Sequence, residues 1–136
     1  MIDLTDPGQL FLLLATGAAG AVARVWISER HPAGTLVVNV AGSLAAGGLL
    51  GWSLTQPSAT LFALLSLGLL GAFTTFSTWM VEVVDAFQGT GGEGGPALPQ
   101  ALRRAILPVV LGVGAAALGV TTGVVLGEGL VAVPLS

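Results

Sequence analysis

The chain has 136 residues, 54% of them hydrophobic and 8% charged, with a formal charge of −3 and a mean hydropathy of +0.93. So few charges cannot build the surface of a soluble domain, and four basic residues are too few for a nucleic-acid-binding face. The absence of cysteine excludes disulfides and thiolate metal sites.

A bilayer core needs about 20 mostly apolar residues per helix. Four windows meet that length, which predicts an all-α integral membrane protein with a single four-helix domain over residues 1–136. The first window is residues 9–27. The preceding MIDLTDPGQ carries Asp3 and Asp6 and no basic residue, so the window lacks the positive start of a cleavable leader and reads as a retained helix. Arg24 falls near the end of this window, where it either snorkels to the headgroups or holds a contact between helices.

SERHPAG, with His31 in a solvated turn, leads into the second window, residues 35–54. Thr35, Asn39 and Ser43 are spaced i, i+4, i+8 and share one face. A polar group in hydrocarbon is costly unless it is paired or faces water. Two readings of Asn39 stay open: a hydrogen-bond clamp between helices, or amide N–H groups turned toward an anion.

TQPS leads to the third window, residues 59–87, which holds GLLGAFTTFSTWMVEVVD. On a continuous helix Thr75, Thr78, Glu82 and Asp85 form one polar stripe, beside Phe73, Phe76 and Trp79. Gly68, Gly71 and the paired Thr74 and Thr75 weaken a helix just there, and a break is expected at residues 71–75. Non-helical backbone at membrane depth is tolerated only where it is buried in protein or lines a cavity, and its freed carbonyls can hold a cation. The bland alternative is an unbroken helix with back-bonded hydroxyls.

GTGGEGGPALPQ, residues 89–100, reads as a flexible exposed loop. The fourth window, residues 104–126, has Pro108 near its expected first turn, where proline is best tolerated, and Thr121 and Thr122 further on. Gly47 and Gly51, Gly119 and Gly123, and Gly123 and Gly127 repeat at the four-residue spacing that lets helix backbones approach closely in lipid. Short connections predict an up-down bundle. Four such helices enclose little, so a pathway through them needs a second subunit. The side with loops one and three carries Arg30, Arg103 and Arg104; the other side carries no basic residue, which puts both termini outside. No nucleophile–base set, phosphate loop or carboxylate pair is present, so the chain does not read as an enzyme.

GTLVVNVAGS at residues 34–43 and GAFTTFSTWMVE at residues 71–82 carry a resemblance. Together, as GTLxVNxxGS and GxxTTFSTxxxE, they resemble the Fluc (CrcB-like) family of fluoride ion channels, over all four spans in order. The resemblance implies a passive channel of the plasma (inner) membrane, exporting fluoride and protecting the cell from it. It implies an antiparallel, dual-topology dimer in lipid, with a structural Na+ at its centre. Carried onto this chain, Asn39, Phe76, Ser77, Thr78, Trp79 and Glu82 match the fluoride pore. Gly71 and Thr74 match the main-chain carbonyls that hold Na+, and Arg24, Ser43, Thr121 and Thr122 are possible pore or vestibule residues. Trp79 stands where the family has its second pore phenylalanine, and its indole N–H would add a donor; Met80 stands where serine is common.

Two rival readings stand beside it. A small multidrug-type, proton-coupled exporter needs a carboxylate within its first helix, and none lies between Asp6 and Glu29. A non-transporting partner subunit would use the polar residues as helix glue. The three-to-none arginine bias also raises a heterodimer with a paralogue beside the homodimer.

Overall fold

The computed structural model describes residues 3–56, 58–89 and 98–131, and every regular element among them is helical. Four stretches are long and apolar enough to cross a membrane: Pro7–Arg30, Gly34–Thr55, Thr60–Gln88 and Leu98–Leu130.

Helix α1, Pro7–Arg30, starts where Asp6 takes an extended backbone and its carboxylate accepts the Gly8 N–H at 2.8 Å, with Pro7 in the first turn. That hydrogen bond, then those from Gln9, hold the Asp6 carboxyl below its ordinary 3.8. A lowered folded value means the cap is fully present above 3.8 and is lost as pH falls through the lower folded value. An NMR titration of Asp6 should therefore have its midpoint below 3.8, with Gly8 amide protection, relative to its intrinsic exchange rate, falling in parallel; a midpoint at or above it contradicts the cap. At the other end His31, in an exposed turn, donates its N–H to the Ile27 carbonyl, and the Arg30 guanidinium lies 4.3 Å from the Trp26 ring centre.

Helix α2 is Gly34–Thr55. The third span is not one helix. It runs through α3, Ala59–Ala63, a π-helical segment, Leu64–Leu70, and α4, Gly71–Phe73. Thr74 and Thr75 are extended, and α5 then resumes over Phe76–Gln88. The expected break is there, confined to two residues. Gly89 closes α5 at φ 70°, a left-handed cap suited to glycine. Of the expected loop 89–100, residues 90–97 lie outside the described residues, and Leu98 already begins α6, Leu98–Val131.

The early start of α6 corrects the placement of Pro108, which stands inside the helix rather than near its first turn. The apolar window misses Gln100, Arg103 and Arg104, yet glutamine and arginine are good helix formers and extend the helix beyond the hydrocarbon-like stretch. The first span is likewise longer than its apolar window, by two residues before it and three after.

The interior of this bundle is made largely of glycine. Among the described residues Val38, Val83, Ala86 and Ala101 are the buried hydrophobic ones, whereas Phe11, Leu67 and Val113 are two-thirds exposed. Apolar side chains pointing outward suit a lipid surround, where close backbone packing replaces a hydrophobic core. The tightest seam joins α2 to α6. Gly47 lies against the Ala116 carbonyl, Gly51 against that of Val120, and Gly127 against Thr55, so the two helices run parallel. The reciprocal glycines, Gly119 and Gly123, face Leu44, Gly48 and Trp52. Helix α1 pairs in the same sense with the third span, Gly17 facing Gly68 and Gly20 facing Leu69 and Phe73. Where α2 crosses the break, buried Gly42 leaves the space taken by the Thr74 methyl and the Phe73 ring.

Candidate functional site

The break is held open by one side chain. Asn39 Nδ2 donates to the Thr75 carbonyl at 2.9 Å, and Thr75 N–H donates to Asn39 Oδ1, also at 2.9 Å. This pairing gives partners to both the N–H and the carbonyl of buried Thr75, the residue at the interruption. It also decides what the neighbours lack. A continuing helix would send the Thr75 N–H to the Gly71 carbonyl; here it goes to Asn39. The Thr78 N–H would go to the Thr74 carbonyl; here it caps onto Thr75 Oγ1 at 3.4 Å. Among the described residues no backbone N–H outside the regular helices donates to the Gly71 or Thr74 carbonyl. They are the two carbonyls the sequence motif singled out.

Asn39 thus acts as the interhelical clamp that was one of its two readings, with one amide hydrogen of the pair still unspent. It lines a cleft of about 320 Å³ between α2 and α6, together with Ser43, Trp79, Pro108, Gly112 and Val113. Ser43 also faces a second, smaller hollow with Ser66, Gly71 and Thr74 on the other side of α2.

Trp79 sits at the head of the cleft. Its ring meets that of Phe76 edge-on, centres 5.3 Å apart at 75°. Its indole N–H donates to the Arg104 carbonyl at 2.8 Å. That N–H is spent, so the extra donor expected of tryptophan is not offered to the cleft. The bond follows from the interior proline: Pro108 has no N–H for the carbonyl four residues back, which is that of Arg104. The indole supplies the missing donor.

Beyond Trp79 a more polar cavity of about 500 Å³ opens among Pro32, Glu82, Gln100, Arg103, Arg104 and Pro108. Glu82 therefore looks toward two arginines on the side of the first turn. The remaining motif residues lie on the outside of the chain. Phe76 is 68% exposed, and Ser77 and Thr78 are exposed beside it, Thr78 Oγ1 accepting from the Thr75 hydroxyl at 3.0 Å. The structure does not bring every candidate to this place. Arg24 is half-buried in the C-terminal third of α1 and lines none of these cavities. Thr121 and Thr122 both donate their hydroxyls to the Leu118 carbonyl, and Thr122 borders a separate apolar groove with Gly48 and Trp52.

Sequence reasoning did not find the Trp79–Arg104–Pro108 arrangement. The signal was present, since an interior proline always frees the carbonyl four residues earlier, but it was hidden by placing Pro108 in a first turn. A family model described as CrcB-like protein, Camphor Resistance (CrcB), matches residues 11–120. No curated protein matches the chain.

Proposed function

This chain belongs to the CrcB-like family, and from that premise we propose that it is a passive, fluoride-selective channel of the plasma membrane that lets cytoplasmic fluoride leave the cell. The multi-pass architecture, with its four membrane-length helices, is consistent with that reading. The observation that carries it is the broken third span, where uncharged donors gather. Fluoride is small and tightly hydrated, so a pore must replace its water with several hydrogen-bond donors at close quarters. The remaining Asn39 amide hydrogen, the hydroxyls of Ser43, Ser77 and Thr78, and the positive ring edges of Phe76 and Trp79 are such groups. None carries a fixed positive charge that would trap the ion. Arg103 and Arg104 at the outer cavity raise the local anion concentration, with Glu82 between them and the break.

One chain leaves Phe76, Ser77 and Thr78 uncovered, and hydroxyls facing lipid are disfavoured. A second copy laid against this face in the inverted orientation completes a narrow pore, and a homodimer is the working assembly. The one-sided arginines support the alternative of an oppositely biased paralogue as partner. The freed Gly71 and Thr74 carbonyls are neutral, hard oxygen donors of the kind Na+ takes, and they fit the structural ion of the family. Bound there, the cation would offset the dipoles of carbonyls that no N–H serves.

The reading is tested by ion efflux from liposomes holding the purified chain alone. Fluoride efflux well above chloride is expected, and Phe76→Ile should slow it about tenfold or more, the factor that 1.4 kcal/mol of barrier represents. Equal fluoride and chloride efflux would refute selectivity. Silence from a folded dimer would point to the paired-subunit alternative.

A further inference from the structure

Glu82, Arg103 and Arg104 line one cavity of about 500 Å³. Among the described residues no ion pair joins Glu82 to either arginine, and none of the three side chains has a hydrogen-bond partner, although Glu82 and Arg104 are half-buried. Charges of both signs held apart around one hollow suit a ligand that itself carries both signs. We propose that this cavity is a binding site for the phosphoethanolamine headgroup of a membrane lipid, its phosphate taken by Arg103 and Arg104 and its ammonium by Glu82.

Three observations fix the class of ligand. The first is charge. Guanidinium forks take phosphate oxygens through charge-assisted hydrogen bonds, and two of them would hold any phosphate. A plain phosphate, however, leaves the Glu82 carboxylate facing an anion. A primary ammonium gives that carboxylate N–H donors, whereas a trimethylated one gives none. The second is depth. Pro32 and Ala33 belong to the turn between α1 and α2, and Gln100 to the first turn of α6. Glu82 lies seven residues before the Gly89 cap, about 10 Å of helix. The cavity therefore opens at the end of the bundle, where headgroups sit, and not at its middle. The third is an apolar strip. From Arg103 onward, Leu107, Val110 and Gly114 follow at i+4, i+7 and i+11 and share one face of α6. Leu107 and Val110 are 36% and 60% exposed, and a Cβ at Gly114 would meet nothing within 4 Å. An acyl chain can lie along that strip below a headgroup held at Arg103. A soluble phosphate compound has no use for it, which assigns the headgroup to a lipid.

The site stands apart from the channel reading, since it uses the charges at the mouth and none of the groups at the break. A headgroup seated there takes up arginine charge that otherwise draws anions to the mouth, so binding is measured without ion flow.

The test uses the purified full-length chain in detergent and counts bound lipid by native mass spectrometry. The probes are dioleoyl lipids that carry ethanolamine, choline or glycerol on the phosphate. The parent is expected to bind the ethanolamine lipid about tenfold more tightly than the other two, the factor set by one hydrogen bond to a charged group. Glu82→Gln should bring the ethanolamine lipid down to the level of the choline lipid and leave the choline lipid unchanged, a pattern that an unfolded variant cannot produce. Arg103→Gln should weaken all three. Glycerophosphoethanolamine, the same headgroup without chains, should not displace the lipid at equal concentration. Equal binding of the three lipids by the parent overturns the proposal without recourse to any variant. So does a preference for ethanolamine that survives Glu82→Gln. Displacement by glycerophosphoethanolamine at equal concentration overturns the lipid as the source of the headgroup. A chain that conducts no fluoride would end the channel reading and leave each of these outcomes as decisive as before.

Discussion

Asn39→Ala is expected to abolish fluoride efflux while lowering stability by only about 1–3 kcal/mol, the cost of one stranded buried polar group. The two effects separate because the Thr75 peptide unit has unequal alternatives once its partner is gone. Its N–H can turn back to the Gly71 carbonyl and close the third span into a continuous helix, recovering one of the two lost bonds. Its carbonyl is that of the α5 N-cap, which the Trp79 N–H can reach while the Thr75 hydroxyl keeps its cap on the Thr78 N–H. Stability is thus partly rescued, and the rescue itself destroys the site, since it withdraws the Gly71 carbonyl and turns the Phe76–Trp79 face. Asn39→Asp separates the roles further. A carboxylate still accepts from Thr75 N–H but donates nothing to Thr75 O, so it should hold the break half-clamped and add a charge that repels the anion. Thermal unfolding in detergent alongside liposome efflux reads both quantities. An alanine variant that conducts like the parent would remove Asn39 from the pore and leave the Thr75 pairing without consequence.

Gly47→Leu is expected to have the largest effect on the fold. A Cβ at Gly47 would collide with the Ala116 carbonyl, and at the reciprocal Gly123 with the Gly48 carbonyl. The obstacle in each case is backbone, which cannot rotate away as a side-chain tip can. The parallel helices would have to separate along their length. Overpacking in a well-packed core costs about 1–3 kcal/mol, and losing the seam's backbone contacts adds to it. The comparison that gives this meaning is Gly114→Ala on the partner helix α6, where a Cβ meets nothing within 4 Å. Alanine there gains up to about 1 kcal/mol of helix propensity. Size-exclusion profiles and unfolding midpoints of the two variants should therefore diverge in opposite directions. Equal tolerance at both sites would mean that α2 and α6 do not meet as described.

Much of this could be read from the residues because the bilayer imposes simple demands. Four apolar windows matched four spans, and the pair Thr74–Thr75 marked the break, since polarity and helix-weakening residues coincide there. Glycines at fourfold spacing marked the seam, although which helices they joined could not be read from spacing alone. What the sequence hid were contacts across distance. Asn39 and Thr75 are 36 residues apart, and no local pattern says that an amide will pair with one particular peptide. The π-helical segment Leu64–Leu70, which packs against α1 through Gly68 and Leu69, has no composition signature. The helix ends ran past the apolar windows at Arg30 and Leu98 for a plain reason: a helix stops where its backbone bonds are capped, not where its hydropathy changes.

The parallel pairing of α2 with α6, and of α1 with the third span, has a consequence for how the protein is made. Each helix's closest partner is the next but one in the chain, so neither of the first two spans leaving the ribosome meets its mate on arrival. Helix α2, with Gly47 and Gly51 bare along one side, must wait in the lipid until the last segment is threaded in. Assembly then takes two delayed pairings, α1 with the third span and α2 with α6, rather than a sequence of hairpins. A chain cut short before α6 would carry an unfilled glycine groove, a mark by which membrane quality control can tell an unfinished copy from a complete one.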